Sequence, residues 1–224
     1  MAEDRLNGKI GNLFRREQWE EARRILERQR EKDPHNHWVL TQLGVTFYEE
    51  RRYEEALQLF LASQKIVPEC PLTLWNLAGS LDSLGKHASA IQIYTWLLLS
   101  KRSPDDDPCW ESKEWADSLK ADCVYRVGVC FQRLRKKRKA EDCYHQYLDL
   151  LSIGIEGSYS IDDVKRQMRQ LHGEGRTSAI ESEFRKAANA TLEASGIGLR
   201  KGRRNRLPKL NVRELFSGHL AASK

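Results

Sequence analysis

The sequence predicts an all-α protein, an α-solenoid of repeated helix pairs, and three observations carry that prediction. The stretch YEEALQLF at 53–60, with the Leu61 that follows, puts Tyr53, Ala56, Leu57, Phe60 and Leu61 on one helical face and Glu54, Glu55 and Gln58 on the other. The same phrase returns in altered letters 34 residues earlier, as WEEARRIL at 19–26, and 34 residues later, as HASAIQIY at 87–94. The 224-residue chain is also 31% charged, with a mean hydropathy of −0.67, which suits a helix-rich protein with much wetted surface.

Aligned on this period, the columns agree. Ala22, Ala56 and Ala90 share one, Leu26, Phe60 and Tyr94 a second, and Trp19, Tyr53 and His87 a third. Pro34 and Pro68 close their helices at the same spacing. The preceding segments repeat too: Leu43-Gly44 with Phe47, Leu77-Ala78 with Leu81, and, more weakly, Lys9-Ile10 with Leu13. A fourth copy carries Val127-Gly128, Phe131, Ala140 and Tyr144, displaced by an insertion rich in turn-forming Pro and Asp. The copies span 3–36, 37–70, 71–100 and 117–152, with the insertion at about 101–116. Small residues at 44, 78 and 128 and at 22, 56, 90 and 140 let helices approach closely, and the large residue four positions after each second-helix alanine fills the space between.

A period of 34 residues with Leu-Gly, an aromatic, Ala, an aromatic and a closing Pro resembles the tetratricopeptide repeat family over roughly residues 3–152. The second copy matches best, with Leu43, Gly44, Phe47, Tyr53, Ala56, Phe60 and Pro68. The resemblance implies a right-handed α-solenoid of about four antiparallel pairs with a concave groove lined by the first helix of each. It implies as groove residues Trp38, Thr41, Val45, Tyr48 and Glu49 in the second copy, Trp75 and Asp82 in the third, and Tyr125 and Gln132 in the fourth. Aromatic and amphipathic side chains of this kind are common binding anchors, and Asp82 and Gln132 would fix register. The family's clamp for chaperone C-termini uses Lys and Asn at groove columns that here hold Asn7, Gly11, Thr41, Val45, Trp75 and Gly79. Capture of an acidic C-terminal tail is therefore not expected.

Gly154 and Gly157 interrupt the array. Ser160 and Asp163 then form a capping-box pattern ahead of a helix with Ile161, Val164, Met168 and Leu171 on one face. Ser178 and Glu181 open another, with Ile180, Phe184, Ala188 and Leu192. These helices, over 160–194, are expected to cap the array. Residues 196–224 hold eight Lys/Arg and one acid, whereas the rest of the chain holds 30 basic and 31 acidic groups. Charge is thus concentrated in a Gly-rich tail unsuited to packing. Its cluster of Arg200, Lys201, Arg203, Arg204 and Arg206 suits phosphates, in nucleic acid or on an anionic surface.

No stretch approaches the length of a membrane span, and MAEDRLNGKI has acids where a secretion signal needs positive charge, so a cytoplasmic chain is expected. The five cysteines, Cys70, Cys109, Cys123, Cys130 and Cys143, show no C-x-x-C spacing and read as free thiols, with Cys123 and Cys130 as small apolar fillers. His35 and His37 read as residues of a helix start, and Asp105 to Asp107 as a solvated loop. No nucleophile, base or phosphate-cradling loop stands out. The expectation is a non-catalytic scaffold or adaptor without cofactor or metal, binding a protein or peptide in the groove. The alternative is polyanion binding by the tail.

Overall fold

The computed structural model describes residues 2–102, 105 and 107–172, the side chains of residues 2–4 and 108 aside. The described residues are helical throughout and contain no strand. In chain order the helices are α1 (Ala2–Arg15), α2 (Trp19–Lys32), α3 (His37–Glu49), α4 (Tyr53–Ile66), α5 (Pro71–Ser83) and α6 (His87–Leu99). A 3-10 turn (Pro108–Trp110) follows, then α7 (Lys113–Arg133), α8 (Lys137–Ser152) and α9 (Ile161–His172). The chain divides into two compact units, one to Ala116 and one from Asp117 onward.

In the first unit, α1/α2, α3/α4 and α5/α6 are successive antiparallel pairs, with α2 against α3, α4 against α5, and α3 against α5. The alanine column is the reason they approach closely: Ala22, Ala56 and Ala90 are fully buried, as are Leu26, Phe60 and Tyr94 four positions on. Gly44 lies so near the Phe60 ring that an added Cβ would stand 2.4 Å from it. Polar atoms inside this stack are paired. The Thr41 hydroxyl is 2.8 Å from both the Ser63 and Thr73 hydroxyls, and Thr41 and Ser63 both donate to the His37 carbonyl. Arg23 bridges α2 to α3 through the Thr46 hydroxyl and carbonyl, lies 4.2 Å over the Phe47 ring, and pairs with Glu50 at 2.5 Å.

The turn inside each pair has one construction. Its residue in the left-handed region is Glu17, Arg51, Gly85 or Arg135, with φ of 55°, 62°, 76° and 56°. The next amide reaches back to a carbonyl one turn inside the first helix: Gln18 to Leu13, Arg52 to Phe47, Lys86 to Leu81 and Lys136 to Phe131. This is the helix-ending hydrogen bond of a Schellman motif.

In the second unit the fourth pair repeats the frame. Ala140 and Tyr144 are fully buried, and a Cβ on Gly128 would stand 2.9 Å from the Tyr144 ring. Helix α7 starts at Lys113, inside the segment read as insertion, because Ser112 caps it by accepting from the Trp115 amide. The capping box ahead of α9 is present: Ser160 Oγ donates to the Asp163 carboxylate at 2.7 Å and accepts from the Asp163 amide at 3.2 Å. Val164, Met168 and Leu171 are buried, and Ile161 is exposed. α9 packs on α8, and Gln170 accepts a 3.3 Å hydrogen bond from Gln132 of α7. The second C-terminal helix and the basic tail, including Arg200, Lys201, Arg203, Arg204 and Arg206, lie outside the described residues.

Candidate functional site

The groove residues expected from the sequence divide into two groups. In the first unit, Trp38, Val45 and Tyr48 on α3 and Trp75 on α5 are half-buried, and Glu49 is exposed. Each aromatic is held from behind. Trp38 packs on the core of the first pair, Tyr48 meets Tyr53 edge-on at 5.3 Å, and Trp75 meets Tyr94 edge-on at 5.2 Å. Gly79 leaves room for the Tyr48 hydroxyl, which would lie 3.3 Å from a Cβ there. The Glu49 carboxyl is raised above the usual range, first by desolvation and then by the Glu17 charge. The first helices of adjacent pairs therefore present fixed, partly exposed aromatic side chains beside a carboxylate.

Three expected groove residues are instead interior, and this corrects the sequence reading. Thr41 is 1% exposed because its hydroxyl belongs to the cluster with Ser63 and Thr73. Asp82 is 1% exposed and accepts from His87 Nδ1 at 2.8 Å. Tyr125 is buried under Tyr159, stacked at a centroid distance of 3.9 Å with 15° between planes. Gln132 is half-buried and already engaged, accepting from the Tyr144 hydroxyl at 2.6 Å. The inner surface of the fourth pair is covered by the segment leading into α9 and by α9 itself.

Cys123, Cys130 and Cys143 are buried, with Cys143 Cβ against Gly128. Burial pushes the Cys143 thiol up to about 12. They serve as interior fillers, as read for the first two. Cys70 and Cys109 differ. With His37 they bring one imidazole nitrogen and two sulfurs within 4.8 Å of one another. The sequence concealed this grouping because its members sit on three separate turns, about one repeat apart.

Four pairs with shared packing columns and a common turn define a helical-repeat protein. Within it, residues 13–72 match the sequence pattern of the tetratricopeptide repeat family. Among curated proteins it is similar to the BBSome complex member BBS4 of Mus musculus, 28% identical over 107 residues, and of Bos taurus, 29% identical over 107 residues. Each match covers 48% of this chain and 18% of the relative, so the chain spans under a fifth of the length of these relatives. Among solved structures it resembles a MamA RS-1 ArsTM double mutant, with a TM-score of 0.59 at 14% identity, covering 87% of this chain and 97% of that one. A MamA crystal structure gives 0.56 at 14% identity, covering 90% and 100%. At that identity the likeness is one of fold. Among the described residues no helix is long and apolar enough to cross a membrane.

Proposed function

We propose that the chain is a non-catalytic scaffold whose first unit binds a peptide or partner helix across α3 and α5, through Trp38, Val45, Tyr48 and Trp75, with Glu49 setting polarity. The observation that supports this reading most directly is the partly exposed aromatic set on two adjacent first helices, each member packed from behind. Side chains fixed in this way lose little entropy on binding. Extended peptides and amphipathic helices are the ligands such faces take. The relatives' description as members of a complex agrees with a binding role.

The test is Trp75→Ala against peptides selected on the intact chain from a displayed library. Affinity falls by about 1–2 kcal/mol while helicity stays unchanged. An unchanged affinity removes α5 from the binding face.

A second reading rests on the charge of residues 196–224, eight Lys/Arg against one acid. It is a polyanion-binding tail. Deleting 196–224 abolishes binding to a single-stranded oligonucleotide, and with the tail present that binding weakens steeply with added salt. Binding that survives the deletion overturns it.

A further inference from the structure

The structure assigns a zinc-class metal site to His37, Cys70 and Cys109, where the starts of α3 and α5 meet the 3-10 turn of the first unit. His37 Nε2 lies 4.0 Å from Cys109 Sγ, and the three donor atoms all lie within 4.8 Å of one another. Ligand atoms around a tetrahedral zinc stand about 3.5–3.8 Å apart, from bond lengths of about 2.0–2.1 Å to nitrogen and 2.3 Å to sulfur. From 4.8 Å the donors therefore need to close by at most about 1.3 Å, within the reach of side-chain rotation. Two thiolates and a neutral imidazole offset the charge of a dication, so the occupied site carries no net charge into a partly buried position. The fourth position falls to water, as in zinc sites with three protein ligands.

The placement of each ligand is built. His37 is the first residue of α3, capped by Asn36, and its carbonyl is pinned by the Thr41 and Ser63 hydroxyls. Cys70 occupies the N-cap position of α5, the column that Asn36 holds one repeat earlier. Its side chain makes no capping bond there, whereas the Asn36 side chain accepts from the Val39 amide. Cys70 is 5% exposed.

Cys109 arrives from the insertion on the 3-10 turn, which is anchored by fully buried Trp110 against Trp115. Arg102 pairs with both Glu69 and Asp107, holding the insertion beside the residue that precedes Cys70. Asp107 accepts from the Cys109 amide at 2.9 Å, which fixes the sulfur's approach.

The experiment uses the full chain, reduced and stripped of metal by chelation. Cobalt(II), standing in for zinc, saturates at one equivalent per chain with a thiolate-to-metal charge-transfer band and tetrahedral visible bands, and zinc displaces it. Cys70→Ser, Cys109→Ser and His37→Ala each weaken zinc binding by at least about 100-fold, more than loss of an outer partner costs. His35→Ala, on the exposed neighbour, leaves binding unchanged. In the unmutated chain, zinc protects Cys70 and Cys109 from alkylation, a readout independent of whether any variant folds. Cobalt binding without the thiolate band overturns the proposal, as does absence of protection. A Cys70–Cys109 disulfide in the air-exposed chain together with no metal binding in the reduced chain also overturns it.

Discussion

In the second helix pair, Gly44 stands against the Phe60 ring; in the fourth, Gly128 stands in the same place against Tyr144. The frames coincide, but what fills them differs. Around α3 the buried polar atoms are neutral hydroxyls, Thr41, Ser63 and Thr73, gathered on the His37 carbonyl. Around α7 the corresponding interior holds a carboxylate, Asp122, which accepts from the Ser158 amide at 2.9 Å and from the Tyr147 hydroxyl at 3.5 Å. Tyr147 in turn donates to the Tyr159 carbonyl and accepts from the Tyr159 amide. The repeat fixes where helices touch. It leaves open how polar groups are satisfied, and the second unit uses that latitude to bind its own C-terminal segment over α7.

The comparison breaks first at its shared element. Gly44→Ala drives a methyl into a ring with no room to yield and lowers stability by about 2 kcal/mol or more, net of the better helix propensity of alanine. Gly128→Ala, where the nearest atom is 2.9 Å away, costs about 1 kcal/mol. Urea unfolding followed by circular dichroism checks both, and equal losses would show that the two rings yield alike.

Next comes the neutral cluster. Thr41→Val removes the hydroxyl common to Ser63 and Thr73 at nearly constant shape, costing about 1 kcal/mol, and the loss is independent of pH. A loss that varied with pH would place a titrating group in that cluster.

The smallest effect is one of slope. Burial raises the Asp122 pKa above its ordinary value, outweighing the hydrogen bonds from Ser158 and Tyr147. In the unfolded chain an aspartate titrates at about 3.9. Between that value and the higher native one, the folded state binds more protons. The stability owed to protonated Asp122 is therefore complete below the lower pKa and lost as pH rises through the upper one. Asp122→Asn removes this loss, so the variant gains on the unmutated chain as the medium goes from acid to neutral. Parallel stability curves would show that the carboxylate is paid for by its partners.

The helices and their core were legible in the sequence because packing repeats: the alanine column and the large residues after it are buried as their spacing implies. The capping box at Ser160 was legible for the same local reason, since both partners lie within one turn. Thr41 and Asp82 were misassigned because a column says which way a side chain leaves its helix, not what it meets. A serine at 63 and a histidine at 87 turned both inward. Tyr125 was misassigned because its cover, Tyr159, comes from beyond the repeats. The His37, Cys70 and Cys109 grouping left no trace in spacing, because a repeated stack brings together turns whose separation along the chain is a full repeat.

The turn inside each pair has a consequence for rebuilding the molecule. Its closing bonds run between backbone atoms only, and its left-handed residue is a glutamate, two arginines or a glycine without change of geometry. Such a joint is indifferent to the letters written across it. Segments cut and rejoined there need matching carbonyls and amides, not matching side chains, so the second helix of one pair and the first helix of the next form the natural part to transplant, lengthen or delete.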